Sequence, residues 1–220
     1  AATTPVVFTA SHQKINNTNQ TISTQSVGTE VTAGGNLNII ATEGDIRSQG
    51  AKISAEGDAL LNAKNNIHLL STSNTETQNA DTKRSGFSID NRDHLAPIGV
   101  YNDKGQGSGS LSQSVGTELS VGGKTTLQAD TGDINIVGSK VVSQDDLRMT
   151  AGKDSNIQSA QRGQSQSESQ KSKVWGSAQI SDTERFDGYM ANQNNSSSVS
   201  VTQERSQLGS LDGNVTLNAG

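Results

Sequence analysis

Ser26-Val27-Gly28-Thr29-Glu30 recurs letter for letter as Ser114-Val115-Gly116-Thr117-Glu118, 88 positions further along the chain. A glycine pair follows each copy, at Gly34-Gly35 and at Gly122-Gly123, and short apolar runs separated by Gly, Asn, Asp and Ser come next. Recurrence at a fixed period is the sequence signature of repeat architectures. The chain is therefore predicted to be a repeat protein.

The composition differs from that of an ordinary globular core. Of the 220 residues, 30% are hydrophobic and 3% are aromatic, and the formal net charge is -5. Disorder requires few apolar residues together with a high net charge, whereas this net charge is low and the apolar residues are regularly spaced. The regular spacing favours an ordered chain.

Several classes of function are excluded or disfavoured by the residue counts. The 17 basic and 22 acidic residues do not form the clustered basic face that binds nucleic acid through its phosphates. No run approaches the roughly 18 apolar residues of a membrane-spanning helix, and the first residues do not form a signal peptide. The absence of Cys excludes disulfides and thiolate metal sites. The sequence fits either a soluble intracellular protein or an internal piece of a longer one.

Short apolar runs of two to five residues predict strands, because apolar and polar residues alternate in them. In the first repeat these runs are 36–39, 44–47, 51–54, 57–61 and 66–69, and in the second they are 132–136, 140–143, 146–149 and 156–159. Gly57 follows Gly35 by 22 positions and Ile67 follows Ile46 by 21. Short strands joined by Gly and Asn turns at this interval predict a coil with about that many residues per turn.

One turn of such a coil buries too few side chains to be stable alone. Each buried Ile, Leu or Val contributes roughly 1.5–3 kcal/mol, against about 1–2 kcal/mol of backbone entropy for every ordered residue. Stacked turns hydrogen-bond to one another and share an apolar interior, which is the logic of a parallel β-helix. Enzymes, adhesins and fibres all use that architecture, so the fold alone does not decide the function.

Two long polar stretches, 71–113 and 161–203, interrupt the short strands. They are too long for simple corner loops and are either flexible loops or strand pairs that leave the coil and return. The Thr and Val residues and the alternation in 72–78 and 196–202 favour strand pairs. The predicted fold class is therefore all-β, a parallel β-helix (solenoid) with extra-helical β-hairpin excursions.

Five of the six aromatic residues lie in the middle of these excursions, with basic residues such as Arg84, Lys104 and Lys173 among them. Aromatic and Arg side chains are enriched in binding hot spots, which makes the hairpin tips a candidate partner-contacting surface. The alternative is a small apolar cluster that pins each hairpin end. The candidate contact residues are Phe87, Arg92, His94, Tyr101, Trp175, Arg185, Phe186 and Tyr189.

No catalytic, metal-binding or cofactor-binding residue is predicted, and no small-molecule substrate is implied. Asp145-Asp146 is the only adjacent acidic pair, and its match to Gly57-Asp58 indicates a turn role. The Gly-Asp pairs do not recur at the nine-residue spacing of calcium-binding rolls. His68, between two inward-facing apolar residues, is expected to face solvent and has no partner motif. Nucleophile elbows, phosphate loops and dinucleotide fingerprints are absent from the sequence.

The repeat resembles the haemagglutinin repeats of filamentous-haemagglutinin-type exoproteins, including contact-dependent growth inhibition proteins of Gram-negative bacteria. The phrases that carry the resemblance are Gly34-Gly35-Asn36-Leu37, Gly44-Asp45-Ile46, Gly57-Asp58-Ala59-Leu60-Leu61-Asn62-Ala63 and Asn65-Asn66-Ile67, echoed by Gly122-Gly123, Thr131-Gly132-Asp133-Ile134 and Ala151-Gly152-Lys153-Asp154. The likeness covers nearly all of the chain from Gln25 onward. The chain is predicted to be a single repeat domain, 1–220. Within it we assign the end of a preceding repeat (1–24), two repeats (25–112 and 113–200) and the start of a third (201–220).

The resemblance implies a right-handed β-helical filament, exported by a two-partner secretion system through an outer-membrane transporter and displayed on the cell surface. It implies a non-enzymatic structural and delivery module, which contacts a neighbouring bacterium and carries a toxin across its outer membrane. The alternative from the same family is an adhesin stalk that binds glycans or receptors on a host cell surface. The expected partners are therefore a target-cell envelope or a host cell surface.

Overall fold

The computed structural model describes residues 9–90, 98–179 and 185–220, and the regular secondary structure in these ranges is strand. In chain order the strands are β1 (Thr9–Thr24), β2 (Glu30–Ala33), β3 (Leu37–Ala41), β4 (Ile46–Gln49), β5 (Lys52–Ala55), β6 (Ala59–Ala63), β7 (Ile67–Leu70), β8 (Thr72–Asp90), β9 (Ile98–Val115), β10 (Glu118–Val121), β11 (Thr125–Ala129), β12 (Ile134–Val137), β13 (Lys140–Ser143), β14 (Leu147–Ala151), β15 (Ser155–Gln158), β16 (Ala160–Gln179), β17 (Arg185–Glu204), β18 (Gln207–Ser210) and β19 (Val215–Ala219). Within the described ranges the chain offers no long apolar helix of the kind that crosses a bilayer.

The short strands form three parallel sheets that together make a coil. The sheet orders are β18-β13-β10-β5-β2, β19-β14-β11-β6-β3 and β15-β12-β7-β4. Glu30 pairs with Lys52, and Glu118 pairs with Lys140, so adjacent turns are offset by 22 residues. Lys52 also pairs with Glu118, because the stretch between β7 and β10 leaves the coil and returns. The predicted parallel β-helix and its period are confirmed. The run at 125–129, which was not predicted, supplies β11.

The interior of the coil consists of columns of equivalent residues from successive turns. Leu61, Leu127 and Met149 lie in register in one such column and are fully buried. A neighbouring column holds alanine in every turn: Ala41, Ala63, Ala129, Ala151 and Ala219. The stacking supplies the apolar contacts that a single turn lacks.

Asn and Asp side chains tie the corners of adjacent turns together. The Asp58 backbone N–H donates to Asn36 Oδ1 at 2.9 Å, and the Lys124 backbone N–H donates to Asp58 Oδ1 at 2.8 Å. At a second corner the N–H of Asn66 donates to Asp45 Oδ1 at 2.9 Å. An Asx side chain thus satisfies a turn N–H that the sheets leave unpaired. This arrangement explains why the Gly-Asp phrase recurs.

The recurring Ser-Val-Gly-Thr-Glu phrase has a packing role at the third corner. Gly50 and Gly138 there adopt φ of 59° and 55°, a left-handed conformation that favours glycine. A Cβ on Gly28 would collide with the Gly50 carbonyl oxygen, and one on Gly116 would collide with that of Gly138. Only glycine therefore allows the two backbones to approach this closely at this corner.

The long strands form a separate five-stranded sheet with the order β1-β8-β9-β16-β17. The excursions predicted at 71–113 and 161–203 are strand pairs rather than loops, namely β8 with β9 and β16 with β17. One feature was not predicted, namely that both pairs and the first strand share one sheet. By contacts the chain divides into one compact unit of residues 1–22, 76–110 and 164–199 and another of 23–75, 111–163 and 200–220.

Candidate interaction surface

Four of the eight predicted contact residues lie, with described side chains, in the five-stranded sheet. Phe87 is in β8, Tyr101 in β9, Trp175 in β16 and Tyr189 in β17. The other four are placed less fully: Arg92 and His94 lie outside the described residues, and for Arg185 and Phe186 only the backbone is described, at the start of β17.

Two of these aromatic rings have close neighbours within the sheet. The rings of Phe87 and His12 have centroids 6.3 Å apart and are tilted by 33°. The phenol of Tyr101 lies over Gly86, where a Cβ would come within 2.7 Å of the hydroxyl oxygen. Tyr101 is half-buried as a result. These contacts fit the interpretation in which aromatic residues pin the ends of the hairpins.

The other two rings are largely open to solvent. Trp175 is 63% exposed and Tyr189 is 57% exposed, and Phe87 keeps 42% of its surface exposed despite His12. Burial of a large aromatic side chain is favourable, and a ring that stays in water forgoes this stabilisation. The exposed rings therefore fit the partner-contact interpretation, which stays a prediction for these residues.

Three basic side chains noted in the sequence share this sheet. Arg84, Lys104 and Lys173 are all exposed. Arg84 is in β8, Lys104 in β9 and Lys173 in β16, so the two excursions contribute cations to one sheet. His12 was not predicted as a contact residue, because it lies in 1–24, which was assigned to the end of a preceding repeat. The signal that identifies it is the strand order, which places β1 beside β8.

The coil carries a shallow groove of about 490 Å³ where it turns from its first sheet to its second. Thr32, Ser54, Ser120 and Val142 are equivalent positions on adjacent strands, and they line it together with Glu56. Glu56 is the single titratable side chain among the described lining residues. A glycosidase would need a pair of carboxyl groups here, and the groove provides no pair.

The acidic pair Asp145-Asp146 occupies a corner of the coil, as predicted. The Asp146 Oδ1 atom accepts a hydrogen bond from the Asn214 backbone N–H at 2.8 Å, and the Asp145 N–H donates to the Gly123 carbonyl. The Asp146 carboxylate and the Asp145 backbone N–H therefore both stabilise the turn by hydrogen bonding to adjacent turns of the coil. Within the described ranges no group of three or more His, Asp or Glu side chains is arranged to hold a metal ion.

His68 lies between the fully buried Ile67 and Leu69 on β7 and points outward, as predicted. Its Nδ1 atom lies 3.3 Å from Asn135 Nδ2 on the next turn. Near it, the backbone N–H of Asn66 holds the pKa of Asp45 below its ordinary value, and the Asn66 side chain and the charge of His68 act in the same direction. These contacts are those of a corner between turns.

The match to known proteins covers most of the chain. A family model described as hemagglutinin repeat matches residues 9–110 and 98–220. The chain is 29% identical over 194 residues, or 86% of its length, to "tRNA nuclease CdiA-2" of Burkholderia pseudomallei strain 1026b. It is 30% identical over 142 residues, or 63% of its length, to "Toxin CdiA" of Yersinia pestis. The chain spans 6% and 4% of the lengths of these relatives. No solved structure matches it.

Proposed function

Because the chain belongs to the hemagglutinin-repeat family, we propose that it is a structural and delivery module of a filamentous exoprotein on the surface of a Gram-negative bacterium. In this proposal the coil provides a stable repeating framework, and the five-stranded sheet contacts the envelope of a neighbouring cell. The parent protein, exported by a two-partner system through an outer-membrane transporter, would carry a toxin across the neighbour's outer membrane.

The observation that carries the proposal is the contrast in exposure between the two kinds of sheet. Leu127 and other interior side chains of the coil are fully buried, which is how a framework is stabilised. Trp175 and Tyr189 are more than half exposed on the long strands, which is how a contacting surface differs from a core. The relatives' printed names, a toxin and a tRNA nuclease, support a parent that delivers a toxin.

A second candidate function is an adhesin stalk that binds glycans or receptors on a host cell. The same exposed rings favour it, because aromatic side chains are frequent anchors in many kinds of interface. The two functions differ in the cell that the chain contacts, and the choice of cell therefore separates them.

The test measures binding of the fluorescently labelled 220-residue chain to intact Gram-negative cells and to mammalian cells. We expect binding to the bacteria, and we expect it to be lost when 87–104 and 174–190 are each replaced by a short Gly-Asn turn. Those segments hold the exposed aromatic residues of both excursions, whereas the coil strands lie outside them.

A strand-dominated circular dichroism spectrum of the shortened chain is the control for folding. Binding to mammalian cells alone would replace the proposal by the adhesin. Absence of binding to either cell type would overturn both candidates and leave the repeats as a spacer.

A further inference from the structure

The register of the long strands follows from their side-chain contacts. Gln106 donates to Asp81 Oδ1 at 3.0 Å, and five residues away Tyr101 lies over Gly86. Moving back five residues on β9 therefore moves forward five residues on β8, which is the register of antiparallel neighbours. The same register places Phe87 opposite Val100.

The next pair, β9 and β16, is antiparallel by the same criterion. Ser172 Oγ donates to Asp103 Oδ1 at 2.8 Å, and the hydroxyls of Ser110 and Ser165 are 2.8 Å apart. Seven residues forward on β9 is seven residues back on β16. This register places Val100 opposite Trp175.

The outer strands extend the same line of residues. On one side, the 6.3 Å ring contact sets His12 opposite Phe87. On the other side, Ser169 Oγ donates to Asn195 Oδ1 at 2.8 Å, and that register sets Trp175 opposite Tyr189. A single line of five side chains thus crosses all five strands, and we call it the aromatic row: His12, Phe87, Val100, Trp175 and Tyr189.

Every member of the aromatic row is exposed, with Val100 at 53%. Directly opposite side chains lie on the same face of a sheet, so the row occupies one face. Adjacent strands are about 4.8 Å apart, and the row therefore extends over roughly 19 Å. Three large aromatic side chains, Phe87, Trp175 and Tyr189, are therefore exposed to solvent along one line.

The same face carries a cluster of lysines, which corrects the expectation that the basic residues of this chain are not clustered: these lysines are scattered in the sequence, and the strand registers bring them together. Side chains alternate between faces along a strand, and the registers above place five exposed lysines on the face of the aromatic row: Lys14, Lys83, Lys104, Lys171 and Lys173. We call this surface the lysine face. Lys83, Lys104 and Lys171 are opposite one another on three adjacent strands, at about 13 Å from the aromatic row.

The two faces of the sheet differ in charge. Among the described side chains of the compact unit that contains the row, the lysine face has five lysines and two aspartates, Asp81 and Asp187. The opposite face has the acidic residues Glu76, Asp103 and Glu168 against one cation, Arg84. An anionic partner is therefore attracted to the lysine face and repelled by the opposite, acidic face.

We propose that the lysine face lies on an anionic lipid surface, with the aromatic row at headgroup level and the lysines against lipid phosphates. Aromatic rings are enriched at the interface between membrane and water, and lysines near an anionic leaflet are attracted to it. This inference rests on the function proposed above and gives the chemistry that the sheet would meet on a cell envelope.

A surface fits this face better than a linear polymer does. The aromatic row and the row of Lys83, Lys104 and Lys171 are separated by four residues along the strands, about 13 Å. A single glycan chain that lies along one row does not reach the other. A planar array of phosphates contacts both rows together with Lys14 and Lys173, which lie between them.

The experiment measures flotation of the 220-residue chain with two kinds of vesicle, phosphatidylcholine alone and phosphatidylcholine mixed with phosphatidylglycerol. We expect partition onto the mixed vesicles and little onto the neutral ones. A triple variant, K83Q/K104Q/K171Q, should weaken the partition by about fivefold per lysine, on the order of 100-fold. High salt should weaken it too, because screening acts on exposed charges.

A matched triple variant of exposed coil lysines, K52Q/K124Q/K153Q, removes the same charge from the other compact unit. It should retain most of the partition. Equal loss in the two triple variants would overturn the proposal, because net charge rather than this face would then control binding. Equal partition onto the two kinds of vesicle would overturn it as well.

Three further measurements distinguish an anionic lipid surface from other ligands of the lysine face. Abolition of vesicle binding by millimolar inorganic phosphate would point to a small-anion site instead of a surface. Binding to a soluble acidic polysaccharide with none to vesicles would assign the face to a glycan. Concentration-dependent dimerisation in sedimentation velocity that is lost in K83Q/K104Q/K171Q would assign it to the acidic face of a second copy.

The outcome also distinguishes this inference from the proposed function. If the chain binds intact bacteria but neither kind of vesicle, the lipid inference fails and the delivery function stands. If it binds anionic vesicles and no cell, the delivery function fails while the chemistry of the face holds.

Discussion

The coil and the five-stranded sheet differ in how they place their side chains. Coil strands have four or five residues, and on inner strands such as β6 and β11 alternate side chains are buried, Leu61 and Ala63 among them. The described strands of the other sheet have 16 to 20 residues, and Trp175 and Val199 on them are 63% and 77% exposed. The coil is held by a core, whereas the long strands are held by backbone pairing and polar contacts.

This difference decides how each sheet fixes its register. A slip of one residue in the coil would turn a buried column such as that of Leu127 toward solvent, so the apolar pattern specifies the register strongly. On the long strands both faces are largely polar, and a slip costs little burial. Their register depends on contacts such as Ser172 with Asp103.

The largest expected change in the free energy of unfolding comes from Leu127→Ala in the coil. Leu127 is 0% exposed and is stacked between Leu61 and Met149. Removing its branched end leaves a cavity in a close-packed column, and we expect the free energy of unfolding to fall by about 2–5 kcal/mol. Urea denaturation followed by circular dichroism measures the change.

The matched change on the long strands is Val199→Ala, at a side chain that is 77% exposed. We expect a change in the free energy of unfolding within about 0.5 kcal/mol. Comparable losses in the two variants would show that the long strands also have an apolar core, and the comparison would fail.

A smaller effect is expected from Gly138→Ala at the third corner of the coil. Gly138 has φ of 55°, and a Cβ there would collide with the side chain of Ala160. A left-handed conformation costs an L-residue about 1–2 kcal/mol, and we expect at least that loss in urea denaturation.

The control for this variant is Gly107→Ala on β9. No atom lies within 4 Å of where its Cβ would be, and its φ is outside the left-handed region. Alanine also restricts the unfolded chain, so stability should be unchanged or slightly higher. A loss at Gly107 as large as that at Gly138 would contradict the assignment of the Gly138 loss to its left-handed backbone and to the collision with Ala160.

Sequence reasoning predicted the coil because its determinants are local and periodic. The 22-residue offset from Gly35 to Gly57 is the offset at which β2 pairs with β5. The turn role of Asp146 also followed from its match to Asp58, and both carboxylates accept a backbone N–H from the next turn. Such features recur in the sequence at every turn, which makes them visible without a structure.

The aromatic row was not visible in this way. Trp175 and Tyr189 were noted as residues of the same excursion, but their opposition depends on a hairpin register that alternating polar residues do not specify. His12 and Phe87 are 75 positions apart, and only the order of β1 and β8 brings them together. Long-range register, rather than the choice of residue types, is what the sequence left open.

The smallest effect concerns pH and the corner carboxylates that join adjacent turns of the coil. The Asn66 N–H holds the pKa of Asp45 below its ordinary value, so the ionised carboxylate is favoured in the folded chain. The contribution of this carboxylate to the free energy of unfolding is therefore complete above the unfolded pKa of about 3.9, and it is lost as the pH falls through the lower, folded pKa.

The variant Asp45→Asn keeps an oxygen acceptor, as Asn66 does at the equivalent corner position, and removes the titration. We expect acid to reduce the free energy of unfolding of the wild type slightly more than that of the variant, in urea denaturation series at neutral and acidic pH. Parallel curves at all pH values would show that the neutral hydrogen bond, and not the charge, stabilises this corner.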